Sequence, residues 1–221
     1  MHELLIADDH PLYRDALAAM ARRALPEVRI SEASSVAELY AAVDARAYDL
    51  LLLDLGMPGA HGFSALVHLR ALKPELPVLI VSGRGDPLSI RRALGYGAAG
   101  FLPKSLDAAA MVAALRGVLE GEIYDPIAAG AAPISAEERD LAAKLAELTP
   151  AQFRVLVGMC EGKLNKQIAW ELSITEATVK AHVTAVLRKL KVTNRTHAVT
   201  LAAELALEPE LARRVHQTEA E

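Results

Sequence analysis

Three carboxylates, a hydroxyl and an ammonium stand where short apolar runs of the sequence end. Asp8 and Asp9 follow Glu3–Ala7, Asp54 closes Leu50–Asp54, Ser82 closes Val78–Ser82, and Lys104 lies just past Ala99–Leu102. Crowded carboxylates repel one another unless a cation sits among them. Oxygen donors of this kind suit Mg²⁺, which takes one or two carboxylates together with waters and phosphate oxygens. A carboxylate can also attack phosphorus as a nucleophile and form an acyl phosphate. A metal ion and a lysine then neutralise the charge on the transferred phosphoryl group. One strand-end aspartate would carry no such meaning; the ordered set from separate segments does.

The elements that must position these groups follow from the hydrophobic pattern. Five β-like runs, Glu3–Ala7, Val28–Glu32, Leu50–Asp54, Val78–Ser82 and Ala99–Leu102, alternate with amphipathic stretches at Leu12–Ala24, Val36–Ala45, Phe63–Leu72, Leu88–Leu94 and Asp107–Glu120. That alternation predicts an α/β domain whose five-stranded parallel sheet is covered on both faces. Leu50–Leu53 is continuously apolar, as a central strand requires. Open parallel sheets bind ligands at the carboxyl ends of their strands, which is where the polar residues collect. Gly95-Tyr96-Gly97-Ala98-Ala99-Gly100 fits the dinucleotide pattern G-x-G-x-x-G. It follows a helix and precedes a strand, the reverse of the required context, so its glycines are read as ending the helix.

Asp8-Asp9, Asp54-Leu55-Gly56-Met57-Pro58-Gly59, Ser82-Gly83 and Lys104 resemble the receiver domain of two-component response regulators, over residues 1–121. The resemblance implies a flavodoxin-like (βα)5 fold and an Mg²⁺ cofactor. It makes Asp54 the phosphoacceptor and, with Asp9, a direct metal ligand. Asp8 would act largely through water, and the Gly56 carbonyl would complete the metal site. Ser82 and Lys104 would hold phosphoryl oxygens, Phe101 would be the switch aromatic, and Gly83 would leave room for the phosphoryl group. The chain departs from the family in having Pro103-Lys104-Ser105 where many receivers have Lys-Pro. His10 follows the acidic pair and could approach the site, but is read first as a surface residue at a helix N-terminus.

The second half has a different character. Residues 122–134 are rich in Ala, Gly and Pro and read as a linker; Ser135-Ala-Glu-Glu is a capping box that starts a helix to about Glu147. From Thr149 to about Leu207 the pattern predicts four helices and no strand. Between Leu148 and His197 eight basic residues face three acids, a basic domain on a chain of net charge −4. Leu148-Thr149-Pro150, Asn165-Lys166-Gln167-Ile168-Ala169, Thr178-Val179-Lys180-Ala181-His182 and Arg195-Thr196 resemble the LuxR-type helix-turn-helix of the NarL/FixJ class. Val179, Val183, Val186 and Leu190 form an apolar stripe at helical spacing. The opposite face carries Ala181, Thr184 and Arg188, with Thr178 and Lys180 at hand, small and polar groups suited to a major groove. Lys166, Lys180, Arg188, Lys189 and Arg195 are candidate phosphate contacts. A serine often precedes the position of Asn165 in the family; here it is Leu164, which leaves Asn165 as the expected cap. Residues 148–212 are assigned to this domain, 122–147 to a linker with a helix, and 213–221 to a tail.

Just over half of the residues are apolar (52%) and there is one cysteine, Cys160, so no internal disulfide can form. No apolar run spans a bilayer, and the N-terminus lacks a signal-peptide pattern, so a cytoplasmic location without membrane contact is expected. The expected function is that of a transcription factor rather than an enzyme. A histidine kinase phosphorylates Asp54, and the protein binds promoter DNA as a homodimer, with RNA polymerase a further candidate partner. Two alternatives stay open: a regulator that works unphosphorylated, and a phosphatase with an aspartate nucleophile. The latter class places a second Asp two residues on, where this chain has Gly56.

Overall fold

Every side chain of Leu50–Asp54 is buried, as is every one of Val78–Ser82. Strands bury both faces only when helices cover the sheet on both sides. The computed structural model describes residues 1–58, 62–128 and 135–203. Strands β1 (His2–Ala7), β2 (Val28–Ala33), β3 (Leu50–Asp54), β4 (Val78–Ser82) and β5 (Gly100–Pro103) pair in parallel in the order β2-β1-β3-β4-β5. This is the flavodoxin-like order, with a switch point between β1 and β3. Helices α1 (Pro11–Ala24), α2 (Val36–Ala45), α3 (Ser64–Leu72), α4 (Pro87–Gly95) and α5 (Ala108–Leu119) follow the strands in turn. Leu4, Ile6, Leu52, Val81 and Leu102 of the sheet share one core cluster with Leu17 and Ala21 of α1 and Met111 and Leu115 of α5. Register sets Ala7 beside Leu53, Asp54 beside Val81 and Ser82 beside Pro103, so the strands end level with one another.

Element ends follow local chemistry. Ser35, Asp86 and Asp107 cap α2, α4 and α5 by accepting backbone N–H groups with their side chains, each worth roughly 1 kcal/mol. After α4, Gly97 takes φ +87°. Its N–H donates to Leu94 O, and that of Ala98 to Ala93 O, each at 3.0 Å. This is a Schellman ending, and the G-x-G-x-x-G string is therefore a helix stop. Gly100 answers a different need, because a Cβ there would lie 2.8 Å from Leu79 Cδ1 and from the Tyr124 carbonyl. Tyr124, expected in the linker, in fact bridges to β5: its N–H donates to Ala99 O and its carbonyl accepts from Phe101 N–H, each at 3.0 Å. An edge strand offers such groups to any chain passing alongside. Residues 129–134 of the linker reading, and all beyond 203, lie outside the described residues.

The described residues fall into two compact units, 1–58 with 72–128 and 62–71 with 135–203. The second holds α6 (Ala136–Ala146), α7 (Pro150–Cys160), α8 (Asn165–Glu171), α9 (Glu176–Leu190) and α10 (Arg195–Ala203). Helix α9 packs on α6, α7, α8 and α10, burying Val179, Val186 and Leu190. Within this unit the His68 ring of α3 stacks on Phe153, with centroids 4.2 Å apart, and its Nε2 lies 2.9 Å from the Leu148 carbonyl. Burial pushes the imidazole down to about 4, against the opposing pull of the Leu148 hydrogen bond.

One local expectation needs correction. Leu164, not Asn165, is the N-cap of α8; Gln167 Oε1 accepts from its N–H at 2.7 Å, which supplies half of a capping box without a capping side chain. Asn165 Oδ1 accepts instead from Arg195 at 3.3 Å.

Candidate acidic site and DNA-facing helix

The level strand ends bring Asp8, Asp54 and Lys104 into contact. Asp8 is fully buried and Asp54 is 3% exposed. Lys104 Nζ donates to Asp8 Oδ2 at 2.7 Å and to Asp54 Oδ2 at 3.1 Å. Gly56 N–H donates to Asp54 Oδ1 at 3.2 Å. Asp8 Oδ1 accepts the His10 backbone N–H at 2.8 Å and lies 3.2 Å from His10 Nδ1. Asp8 is thus held on both oxygens. Asp9 Oδ1, by contrast, is buried without a hydrogen-bond partner. Ligand atoms from Asp8, Asp9, His10 and Asp54 all lie within 4.8 Å of one another.

Burial pushes the Asp54 carboxyl above its ordinary value; the Gly56 amide and Lys104 oppose this, while Asp8 adds to it. Burial works against the charge of Lys104 as well, but the hydrogen bonds and charges of Asp8 and Asp54 prevail and hold the ammonium above its usual value. Tyr13 completes the surroundings. Its ring centroid is 4.5 Å from Lys104 Nζ, a cation–π distance. Burial, with Asp8 and Asp54 nearby, pushes its phenol up to about 12.

Ser82 is buried at the end of β4, and its Oγ accepts from Arg84 N–H at 3.2 Å. A Cβ at Gly83 would meet nothing within 4 Å, so open space adjoins the site. Phe101 is fully buried on β5. Lys104 N–H donates to Ser82 O at 2.7 Å, which ties the ends of β4 and β5 together. No peptide bond among the described residues is cis.

The helix-turn-helix is built on a left-handed residue. Ser173 takes φ +53°, its N–H donates to Trp170 O, and the N–H of Ile174 donates to Ala169 O. Thr175 then caps α9 by accepting from Thr178 N–H at 3.1 Å. Lys166, Lys180, Ala181, Thr184 and Arg188 are exposed, whereas Thr178, Lys189 and Arg195 are half-buried. Three of the expected phosphate contacts have partners inside the domain; Lys180 makes an exposed ion pair with Glu176 at 3.3 Å. Lys189 Nζ donates to Glu147 O and Gln152 Oε1, both at 2.7 Å, and Arg195 donates to Lys163 O at 2.6 Å. Trp170 stands 83% exposed on α8.

The family model for response regulator receiver domains matches residues 4–116. The model for bacterial regulatory proteins of the luxR family matches residues 146–202. The chain belongs to the response regulators of the NarL/FixJ class. It is similar to the glycerol metabolism activator of Pseudomonas putida, 40% identical over 216 residues that cover 93% of this chain and 96% of that protein. It is 32% identical to the nitrate/nitrite response regulator NarL of Escherichia coli K12, covering 88% of this chain and 92% of that protein. A solved LuxR family DNA-binding response regulator from Silicibacter pomeroyi aligns with a TM-score of 0.51 and 35% identity, covering 57% of this chain and 98% of that chain.

This response regulator is therefore a DNA-binding transcription regulator. Asp8, Asp9, Asp54 and Lys104, singled out from the sequence, lie together at one end of the sheet. Sequence reasoning missed Tyr13, whose only signal was its place on the first turn of the helix after the acidic pair. His10 is both things the sequence allowed: an exposed residue at the N-terminus of α1, and one whose ring approaches the carboxylates of Asp8 and Asp9. No helix among the described residues is long and apolar enough to cross a membrane.

Proposed function

We propose that this response regulator accepts a phosphoryl group on Asp54 from a histidine kinase and that the acyl phosphate controls dimerisation and promoter binding. The single observation that carries this reading is Lys104 spanning Asp8 and Asp54 in a buried acidic site. In the transfer, an Asp54 carboxylate oxygen attacks phosphorus, the P–N bond to the kinase imidazole breaks, and the electron pair leaves with that imidazole. Asp54 Oδ1 is held by the Gly56 amide, so the nucleophile is oriented before the donor arrives. The Lys104 ammonium would neutralise charge developing on the phosphoryl oxygens, and the Ser82 hydroxyl, at the end of the neighbouring strand, would donate to one of them.

The donor set fits Mg²⁺. Its hard oxygens converge, and the orphaned Asp9 Oδ1 is an acceptor left for a cation. Asp9, Asp54 and the Gly56 carbonyl would hold the ion, with Asp8 oriented behind them; when bound, it would offset the charge of the phosphoryl group. Asp54 thus acts once per phosphoryl group as an acceptor, without turnover of a substrate, and the chain is not an enzyme. The exposed groups of α9, Lys180, Ala181, Thr184 and Arg188, together with Thr178, would read and grip the major groove, and Lys166 would contact phosphate. Lys189 and Arg195 would brace that helix through their internal bonds as well as face the backbone. Two copies would bind paired half-sites about one helical turn apart, in the cytoplasm, where RNA polymerase is a further partner.

The test is incubation of purified protein with Mg²⁺ and a small phosphodonor, followed by detection of base-labile phosphate. Label on wild type and none on Asp54→Asn is expected. Label on neither protein, or equally on both, contradicts the reading.

A further inference from the structure

We infer that His10 supplies a nitrogen ligand to the divalent ion at the acidic site, which makes this receiver favour ions that accept imidazole, such as Mn²⁺, over Mg²⁺. The inference rests on the proposed metal site and concerns which donors complete it.

The geometry comes from three observations. His10 is the N-cap of α1, yet its side chain makes no capping hydrogen bond. Pro11, the next residue, starts α1 and holds the His10 backbone in the extended region; the imidazole itself lies at the acidic pair. His10 Nδ1 lies 3.2 Å from Asp8 Oδ1 with hydrogen-bond geometry. It lies closer still, 2.8 Å, to Asp9 Oδ1, but that oxygen has no hydrogen-bond partner. The two atoms thus stand at ion-pair distance without hydrogen-bond geometry.

That spacing matches two neighbouring ligands of one ion. With bonds of about 2.1 Å, adjacent donors of an octahedral ion stand about 3 Å apart. Asp8 is already engaged on both oxygens, by His10 N–H and by Lys104. Asp54 is engaged as well, by Gly56 N–H and by Lys104, which leaves Asp9 Oδ1, with His10 Nδ1 beside it, as a buried oxygen of the cluster without a hydrogen bond. Carboxylate oxygens alone suit Mg²⁺, whereas an imidazole among them favours a first-row transition ion over Mg²⁺, with Mn²⁺ the weakest of that series. His10 therefore tunes the identity of the ion and leaves the nucleophile unchanged.

Mn²⁺ serves as the probe. Pulsed electron paramagnetic resonance of the Mn²⁺-loaded full-length chain should show coupling to a directly bound ¹⁴N nucleus, and the pattern should change to that of ¹⁵N when the protein is grown with ¹⁵N-histidine. His10→Gln should still bind Mn²⁺ but lose the nitrogen coupling, and the ratio of Mn²⁺ to Mg²⁺ affinity should fall about tenfold. The His10 side chain is 66% exposed, so this substitution leaves the core intact. Bound Mn²⁺ with oxygen couplings only, or nitrogen coupling that persists in His10→Gln, overturns the inference and leaves the proposed metal site standing. Failure of the wild type to bind either ion overturns both.

Discussion

Lys104 carries two relations at once. Its ammonium bridges Asp8 and Asp54, and the same nitrogen stands over the Tyr13 ring. Removing it would leave two buried carboxylates facing each other without compensation. Lys104→Met should therefore lower stability in urea by about 2 kcal/mol, below the roughly 3–5 kcal/mol of a fully buried pair because Lys104 keeps some exposure. The same variant should lose most of its phosphoryl acceptance, and Asp8→Asn combined with Lys104→Met should recover stability without recovering acceptance. On the DNA side, Arg188 is exposed on α9. Arg188→Ala should weaken binding about equally across sequences and reduce the slope of log affinity against log salt by about one. Lys189→Ala should also cost stability, because its Nζ holds Glu147 O and Gln152 Oε1. A fluorescence anisotropy titration over several salt concentrations, with a melt of each variant, separates the two kinds of effect.

At the scale of elements, helix endings are the exposed points of the fold. Lys191 takes φ +57° just past α9, with Val192 N–H donating to Leu187 O and its own N–H to Arg188 O. A left-handed conformation costs a residue with a Cβ roughly 1 kcal/mol. Lys191→Gly should thus raise the stability of the helical unit by up to about 1 kcal/mol, read from the shift in its denaturation midpoint. His68 gives the opposite kind of leverage. Its folded pKa of about 4 lies below the unfolded value near 6.5. The unfolded chain therefore binds the proton first, and stability present above pH 6.5 is lost as pH falls toward 4, by at most about 1.4 kcal/mol per pH unit. In His68→Leu that part of the acid dependence should vanish, so the difference between wild type and variant, measured at pH 7 and at pH 5, is the test; a constant difference would contradict it.

On the scale of the whole molecule, the sequence is most legible where one pattern has one cause. β3 and β4 and helix α2 have the residues that their hydrophobic periods predict. The acidic site was readable because parallel strands must end level, and polar residues at those ends must meet. Less legible were contacts that depend on a few ångströms. Tyr124 joins β5 because an edge strand is open, a fact of placement that Gly-rich composition conceals. His10 approaches the carboxylates from the N-cap of α1, and Arg195 reaches Lys163 O because α10 packs on α7, whose end leads into that residue. None of these leaves a period in the sequence.

The central claim couples the acidic site to the DNA-binding helix. DNA binding and dimerisation should be measured for the full-length protein on promoter fragments from its own locus. The conditions are with and without Mg²⁺ and beryllofluoride, which mimics the acyl phosphate, and Asp54→Ala is the control. The account expects the mimic to tighten binding and favour the dimer in wild type, with no response in Asp54→Ala. Equally tight binding in every condition would contradict it, and would leave the helix-turn-helix as a DNA reader that the acidic site does not control.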